Sequence, residues 1–320
     1  MDLYNQIHIK HMRPVKLRSH ALIEQVGRMY YILQMNQQEI AEKLGISRTT
    51  VVRLLTEGRE LGIIQIYIHG QDDGVRQEEL EAKLMKRYGM RDIIVARNVE
   101  PNSTYNVAAR YIQGIMPRKG TIAISGGKTM NAVANYFHPI EGENELNITQ
   151  LTGMFGENIP SVTVAQNWAE KLNANAVYLA APGIVSSPEK RDLFLNDANI
   201  INTYKEICNA EYAITGIGIT DSVKENLKNL EFPPNLFEEL DQRCVGDIMF
   251  HFYDNNGRFN AEKISSCVVG ATTADYLRIQ VRIAVAFGEE KVKAIHAAMK
   301  GKIINIMITD EDTARCILRL

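Results

Sequence analysis

Apolar positions along this chain follow two rhythms, and the change between them divides it. From residue 21 to 61 the spacing is helical: Leu22, Ile23, Val26, Met29, Tyr30 and Leu33 recur with a period near 3.6. A break at Met35-Asn36 separates this helix from a short second one, Gln37 to Leu44. Gly45 interrupts again, and Ser47 is placed to cap a third helix running to about Leu61. The run Ile63-Ile64-Gln65-Ile66-Tyr67-Ile68 alternates and is rich in β-branched residues, which predicts a strand. Gln71-Asp72-Asp73-Gly74 then reads as a domain boundary. Residues 75–89 predict another helix, with Leu80 and Leu84 four apart. It either couples or pairs the flanking parts, or packs on the domain that follows.

From residue 91 onward short β-branched runs alternate with helical stretches. The runs are Asp92–Ala96, Thr121–Ser125, Ile148–Thr152, Ala176–Leu179, Tyr212–Ile217, Val281–Phe287 and Ile303–Ile308. Strands alternating with helices imply βαβ units and a mostly parallel sheet.

Spacing within the first part carries chemistry. Two helices crossing at a tight turn need a small residue at the crossing, a glycine at the turn and apolar residues facing inward. Counted from Gln37 as the first position, Ala41 is fifth, Gly45 ninth, Val51 fifteenth and Leu54 eighteenth; Ile40 and Leu44 complete the inner face. This is the pattern of a helix-turn-helix. Its third helix turns Val51, Leu54 and Leu55 inward and leaves Arg48, Thr49, Val52 and Arg53 on the opposite side, where a major groove is read. Arginine takes guanine bidentately, and threonine or valine methyls meet a thymine methyl. Gln37, Ser47 and Thr50 are placed for phosphates. Lys10, Arg13, Lys16 and Arg18 form either an arm along the DNA backbone or an unstructured tail.

Charge agrees with that division only weakly. The chain of 320 residues has a formal net charge of -2, yet residues 1–60 hold nine basic against six acidic side chains. The four cysteines, at 208, 244, 267 and 316, form no C-x-x-C pair, so neither a metal site nor a disulfide framework is expected. The first twenty residues contain no apolar core of a signal peptide, and no run approaches the roughly 20 apolar residues that span a bilayer. A cytoplasmic protein without metal, cofactor or membrane partner is expected.

Ile122-Ala123-Ile124-Ser125 leads into Gly126-Gly127-Lys128-Thr129, a strand ending in a glycine-rich turn before a helix. Such a turn offers bare backbone N–H groups to an anion. The triplet is not a nucleotide-hydrolysing P-loop, which needs a glycine five residues before Gly127, where Ile122 stands. Thr152-Gly153 and Gly216-Ile217-Gly218 also follow strands. In open α/β sheets such loops line one crevice.

With these motifs in hand, the chain resembles the SorC/DeoR-type sugar-sensing regulators. The matching stretches are Gln38-Glu39-Ile40-Ala41 with Leu44 to Arg48; Ser125 to Met130; Ala181 to Val185; Gly216-Ile217-Gly218; Val245 to Ile248; Gly288 to Lys291 with Ala294-Ile295; and Ile308 to Glu311 with Thr313-Ala314. They run in family order from about residue 25 to 320.

The resemblance implies an α/β chain in three parts. A helix-turn-helix domain covers residues 1–70, a coupling helix 71–90, and a large Rossmann-like effector domain, similar to sugar-phosphate isomerases, 91–320. It implies operator DNA and a phosphorylated sugar as partners, and a homo-oligomer built as a dimer of dimers. Gly126, Gly127, Lys128 and Thr129 would take the phosphate, Asp247 the sugar hydroxyls, and Lys291 phosphate charge; Thr152 and Gly153 would line the same site. Thr152 stands where one member of the family carries a Schiff-base lysine, so covalent aldehyde capture is not expected. Gly126 fills a slot that is often tryptophan, and Phe287-Gly288 replaces a glycine pair. An alternative is an isomerase-like enzyme with an accessory helical domain. It would need an acid–base partner for Asp247, for which His251, four residues on, is the nearest candidate.

Overall fold

The computed structural model describes residues 20–61, 63–64, 75–140, 144–155, 161–227 and 240–320. The basic stretch Lys10 to Arg18, most of the Ile63–Ile68 run and the Gln71–Gly74 boundary lie outside them. The chain divides into two units, residues 1–71 and 72–320.

In the first unit α1 (His20–Gly27) continues into a π-helical turn, Arg28–Ile32. α2 (Gln37–Leu44) begins with a capping box: the Asn36 side chain accepts from the Gln38 and Glu39 N–H groups, and the Glu39 carboxylate accepts from the Asn36 N–H. It ends at Gly45, whose φ of 63° is the left-handed conformation that glycine adopts without strain. α3 (Arg48–Glu60) is capped by the Ser47 hydroxyl, which accepts from the Thr50 N–H at 3.1 Å. Ile23, Val26, Ile40, Ala41, Val51, Leu54 and Leu55 pack into one core. Ile63 and Ile64 do not begin a strand, contrary to expectation. They lie in a bend whose Ile64 N–H donates to the Gly58 carbonyl, and the Ile64 side chain fills the space left by Gly27 and Gly58. At Ile63 and Ile64, filling that gap on the helices outweighs the extended preference.

The second unit holds nine strands among the described residues. Seven form one parallel sheet in the order β1-β9-β8-β5-β2-β3-β4. They are β1 (Asp92–Ala96), β2 (Lys119–Ile124), β3 (Glu145–Gln150), β4 (Asn175–Val177), β5 (Tyr212–Thr215), β8 (Val281–Val285) and β9 (Ile306–Asp310). β6 (Gly246–Ile248) and β7 (His251–Tyr253) form a separate antiparallel hairpin. Both faces of the sheet are covered, and β1, β2, β5, β8 and β9 carry buried, mainly apolar stretches, whereas β3 alternates and edge strand β4 is partly exposed. Along β1, Ile93 and Val95 enter one core and Ile94 and Ala96 the other.

α4 (Glu78–Tyr88) sends Leu80, Leu84 and Tyr88 into the first of these cores. Its buried Glu81 pairs with Arg76 at 2.7 Å and accepts the β1 edge N–H of Val95 at 2.9 Å. The 75–89 segment therefore packs on its own effector unit, one of the two arrangements expected for it. α5 (Ser103–Ile115), α6 (Lys128–Ala134) and α7 (Ser161–Lys171) cover the other face.

From β2 the chain winds outward through β3 to β4. It then returns to β5 on the opposite side of β2 and winds the other way through β8 to β9. The reversal falls between β2 and β5. Loops leaving the carboxyl ends of those strands diverge there, which is where open α/β sheets place a binding crevice.

Candidate functional site

On the helix-turn-helix, burial sorts α3 by side. Val51, Leu54 and Leu55 are buried, while Arg48, Thr49, Val52 and Arg53 are exposed along one continuous face. Ser47 and Thr50 are occupied with each other: besides capping, the Ser47 hydroxyl lies 2.8 Å from both the Thr49 and Thr50 hydroxyls. Their first duty is to start α3. Gln37 is turned toward Arg48, whose Nε donates to Gln37 Oε1 at 3.3 Å.

In the effector unit, Ser125 ties the crevice together. Its N–H continues the sheet by donating to the Ile214 carbonyl, and its hydroxyl accepts from the Gly216 N–H at 3.2 Å. The turn after β2 is thereby fastened to the turn after β5. Gly127 and Lys128 are exposed; Gly126 and Thr129 are half-buried. A methyl group built on Gly127 or Gly216 meets no atom within 4 Å, so the space above both turns is open. Gly126 is different. A methyl there would come within 2.8 Å of Ser161 Cβ, so α7 stands directly against the turn, where a tryptophan has no room.

Behind the turn lies a buried polar support that the sequence reading missed. Gln150 Nε2 donates to Ser161 Oγ at 2.8 Å, and that hydroxyl donates to the Gly153 carbonyl at 3.1 Å. Gln150 also accepts from the Leu179 N–H. An amide at the end of the apolar run Ile148-Thr149-Gln150-Leu151 was the available signal. Gly153 is packed main chain to main chain: a methyl on it would strike the Ala181 carbonyl at 2.3 Å, one on Gly183 the Gly153 carbonyl at 2.9 Å, and one on Gly270 the Leu151 carbonyl at 2.4 Å. Thr152 and Gly153 are accordingly buried.

Asp247 reaches the same crevice from the hairpin. Its main chain pairs with Gly218 in both directions at 3.1 Å, and its Oδ1 lies against Gly218, where any side chain would collide with it. Oδ2 accepts from the Phe250 N–H at 3.0 Å, whereas Oδ1 has no partner among the described residues. Burial pushes the Asp247 carboxyl up to about 6, against the pull of the Phe250 N–H and Lys291. Lys291, at the start of the helix Val292–Lys300, is half-buried. Burial lowers its ammonium from the ordinary lysine value, while Glu290 and Asp247 hold it up. The hydroxyl of Thr220, just beyond Gly218, is a second buried oxygen without a partner among the described residues.

The Gly126–Thr129 turn and Asp247 thus meet Ser125 and the Gly216–Gly218 segment, Gly153 lies behind the turn through Ser161, and Lys291 acts electrostatically on Asp247. Phe287 does not join them. It packs edge-on to Tyr105 at 5.2 Å and lines a neighbouring cavity of about 480 Å³ with Asn98, Glu100 and Asp310. The register of the hairpin also separates Asp247 from His251. Asp247 pairs with Phe252 and His251 with Ile248, so the two side chains leave opposite faces. His251 Nε2 is bonded to the Ala271 carbonyl at 2.8 Å, and burial lowers its imidazole to about 4. They do not form an acid–base pair.

An exposed reading helix and a doubly wound parallel sheet with a crevice at its winding reversal define a regulator that joins a DNA-binding head to a small-molecule domain. Residues 73–319 match the Sugar-bind family of sugar-binding domains, and residues 16–79 match the Crp-like helix-turn-helix domain. The chain belongs to the Sugar-bind family and is a helix-turn-helix transcriptional regulator. It is 27% identical over 314 residues to the transcriptional regulator LsrR of Klebsiella pneumoniae, covering 95% of this chain and 94% of that protein. It is 29% identical to the deoxyribonucleoside regulator of Bacillus subtilis, covering 92% and 96%. The crystal structure of the full-length sorbitol operon regulator SorC from Klebsiella pneumoniae shares the fold. Its TM-score is 0.68 at 23% identity, with 93% of this chain and 98% of that one covered. These relatives are named as regulators, not as enzymes.

Proposed function

We propose that the chain controls a carbohydrate-metabolism operon and that a phosphorylated sugar in the effector crevice sets its affinity for operator DNA. The observation that carries this reading is the fastening of the open Gly126–Thr129 turn to the Gly216–Gly218 segment at the winding reversal, with Asp247 against that segment and Lys291 acting electrostatically on Asp247. Backbone N–H groups, Lys128 and Lys291 supply donors and positive charge for a phosphate; Thr129 adds a hydroxyl. Asp247 Oδ1, buried without a partner, supplies the acceptor that a sugar hydroxyl satisfies. Thr152 and Gly153 form the wall behind. On α3, Arg48, Thr49, Val52 and Arg53 read bases, with Ser47 and Thr50 beside the phosphates and Gln37 turned toward Arg48. The protein works in the cytoplasm as a dimer of dimers, and α4 passes the effector signal toward the DNA heads. Among the described residues no helix is long and apolar enough to cross a membrane.

The effector acts by binding two conformations unequally, and a coupling of about 1–3 kcal/mol changes operator affinity roughly 5–150-fold. A thermal-shift screen of hexoses, pentoses and polyols, each with and without its phosphate, tests the reading. A stabilisation that grows with ligand concentration and appears only with the phosphate is expected. Equal stabilisation by the unphosphorylated partner, or sustained turnover of a sugar phosphate, would defeat it.

A further inference from the structure

We infer that Gln37 is a positioning residue for base readout, acting through Arg48 rather than on the DNA itself; this rests on the proposed reading of α3 as the DNA-reading helix. Arg48 is the first residue of α3 after its cap, and the first turn of that helix contains no acidic side chain. A cation at the positive end of a helix dipole is unfavourable, so helix stability does not account for an arginine here. The nearby acids are engaged elsewhere: Glu39 accepts from the Asn36 N–H, and Glu42 from Gln38 Nε2. The bond the structure gives the guanidinium is to the Gln37 carboxamide, from Nε at 3.3 Å. Gln37 and Arg48 also line a solvent-open crevice of about 710 Å³ between the starts of α2 and α3.

The geometry has a chemical consequence. Of the five N–H donors of arginine, the one on Nε is held by Gln37. The remaining four sit on the two terminal nitrogens at the far edge of the plane. A guanidinium pinned through Nε presents that edge end-on, which is the pair of donors that bridges guanine O6 and N7. Gln37, the first residue of α2, thereby fixes the plane of a side chain that would otherwise sweep freely from the start of α3. A residue of this kind sharpens sequence preference and contributes no phosphate contact.

A double-substitution cycle on the full chain tests this. The probe is a duplex recovered from a random pool by the wild-type protein, compared with a shuffled duplex of equal length and composition. Gln37→Ala is expected to lower the preference for the recovered duplex at least about fivefold, with the salt dependence of binding unchanged. In an Arg48→Ala background the same change is expected to do nothing further. Gln37→Glu, whose carboxylate still accepts from Nε, is expected to keep the preference while weakening binding to both duplexes. The proposal is overturned if Gln37→Ala costs as much without Arg48 as with it. It is overturned equally if Gln37→Ala weakens both duplexes by the same factor, the mark of a lost contact that carries no sequence information. Failure of the wild-type chain to recover any duplex would instead remove the DNA-reading premise beneath it.

Discussion

Asp247→Asn should stabilise the effector unit in a pH-dependent way while impairing its response to ligand. Burial raises this carboxyl from 3.8 to about 6. In the unfolded chain it ionises near its ordinary value. Between roughly pH 4 and 6 the folded state therefore holds a proton that the unfolded state has released, and stability falls as pH rises through that window. Above it both states are ionised, and the fold bears the whole cost of the buried charge. The displacement from 3.8 to about 6 corresponds to about 3 kcal/mol. The substituted carboxamide cannot ionise, yet its carbonyl can still accept from the Phe250 N–H. Its NH2 group inherits the partnerless position of Oδ1 at a cost of about 1 kcal/mol at every pH. The stability of the variant relative to wild type should thus improve by about 3 kcal/mol between roughly pH 3.5 and 8, whatever its absolute offset. Trp168 is the one tryptophan in the chain and is buried in the effector unit, with its indole N–H donating to the Met130 carbonyl. Denaturant titrations followed by its fluorescence report this unit separately from the DNA head. A relative stability that stays flat across the range would show that the carboxyl is not strained by burial and refute the reasoning.

Three further outcomes follow from the geometry. Lys291→Met should weaken binding of a phosphorylated sugar in calorimetry at least about fivefold and leave any binding of its unphosphorylated form unchanged, since only the phosphate uses the ammonium. Gly126→Ala, whose methyl would come within 2.8 Å of Ser161 Cβ, should cost about 1–3 kcal/mol in the same fluorescence titration; adding Ser161→Gly should recover part of it, and no recovery would place the clash elsewhere. Glu81→Ala leaves Arg76 and the Val95 N–H without their shared carboxylate and should cost about 2–4 kcal/mol, with faster hydrogen exchange at Val95 as the local signature.

What could be read in advance depended on how closely local chemistry tracked burial. The helix-turn-helix was legible almost residue by residue, because a small crossing residue, a turn glycine and three inward apolar positions leave little freedom. The seven sheet strands were legible for a similar reason: with both faces covered, most carry a short β-branched apolar stretch. Five of their carboxyl ends were set too late, at Ser125, Leu151-Thr152, Tyr178-Leu179, Gly216-Ile217 and Ala286-Phe287, while β9 was expected to stop at Ile308 and runs to Asp310. Most of the overrun residues stay at least partly enclosed where the chain leaves the sheet, so their composition does not announce the turn; Ser125 and Gly216-Ile217 belong to the loops of the crevice. The β6–β7 hairpin was not seen, since two strands of three residues joined by Met249 and Phe250 in the left-handed region leave no periodic trace. Gln150 and Ser161 are invisible to motif reading because their roles are to hold other groups, and only their shared position in space reveals it.

The contact of Gly153, Gly183 and Gly270, main chain against main chain, limits how this pocket can be retargeted. No side chain fits at those three positions, so that wall cannot be reshaped by single substitutions to suit another ligand. Retargeting of the proposed pocket, whether by drift or in engineering a biosensor, is confined to the opposite rim, where Lys128 is exposed and a methyl on Gly216 meets no atom within 4 Å.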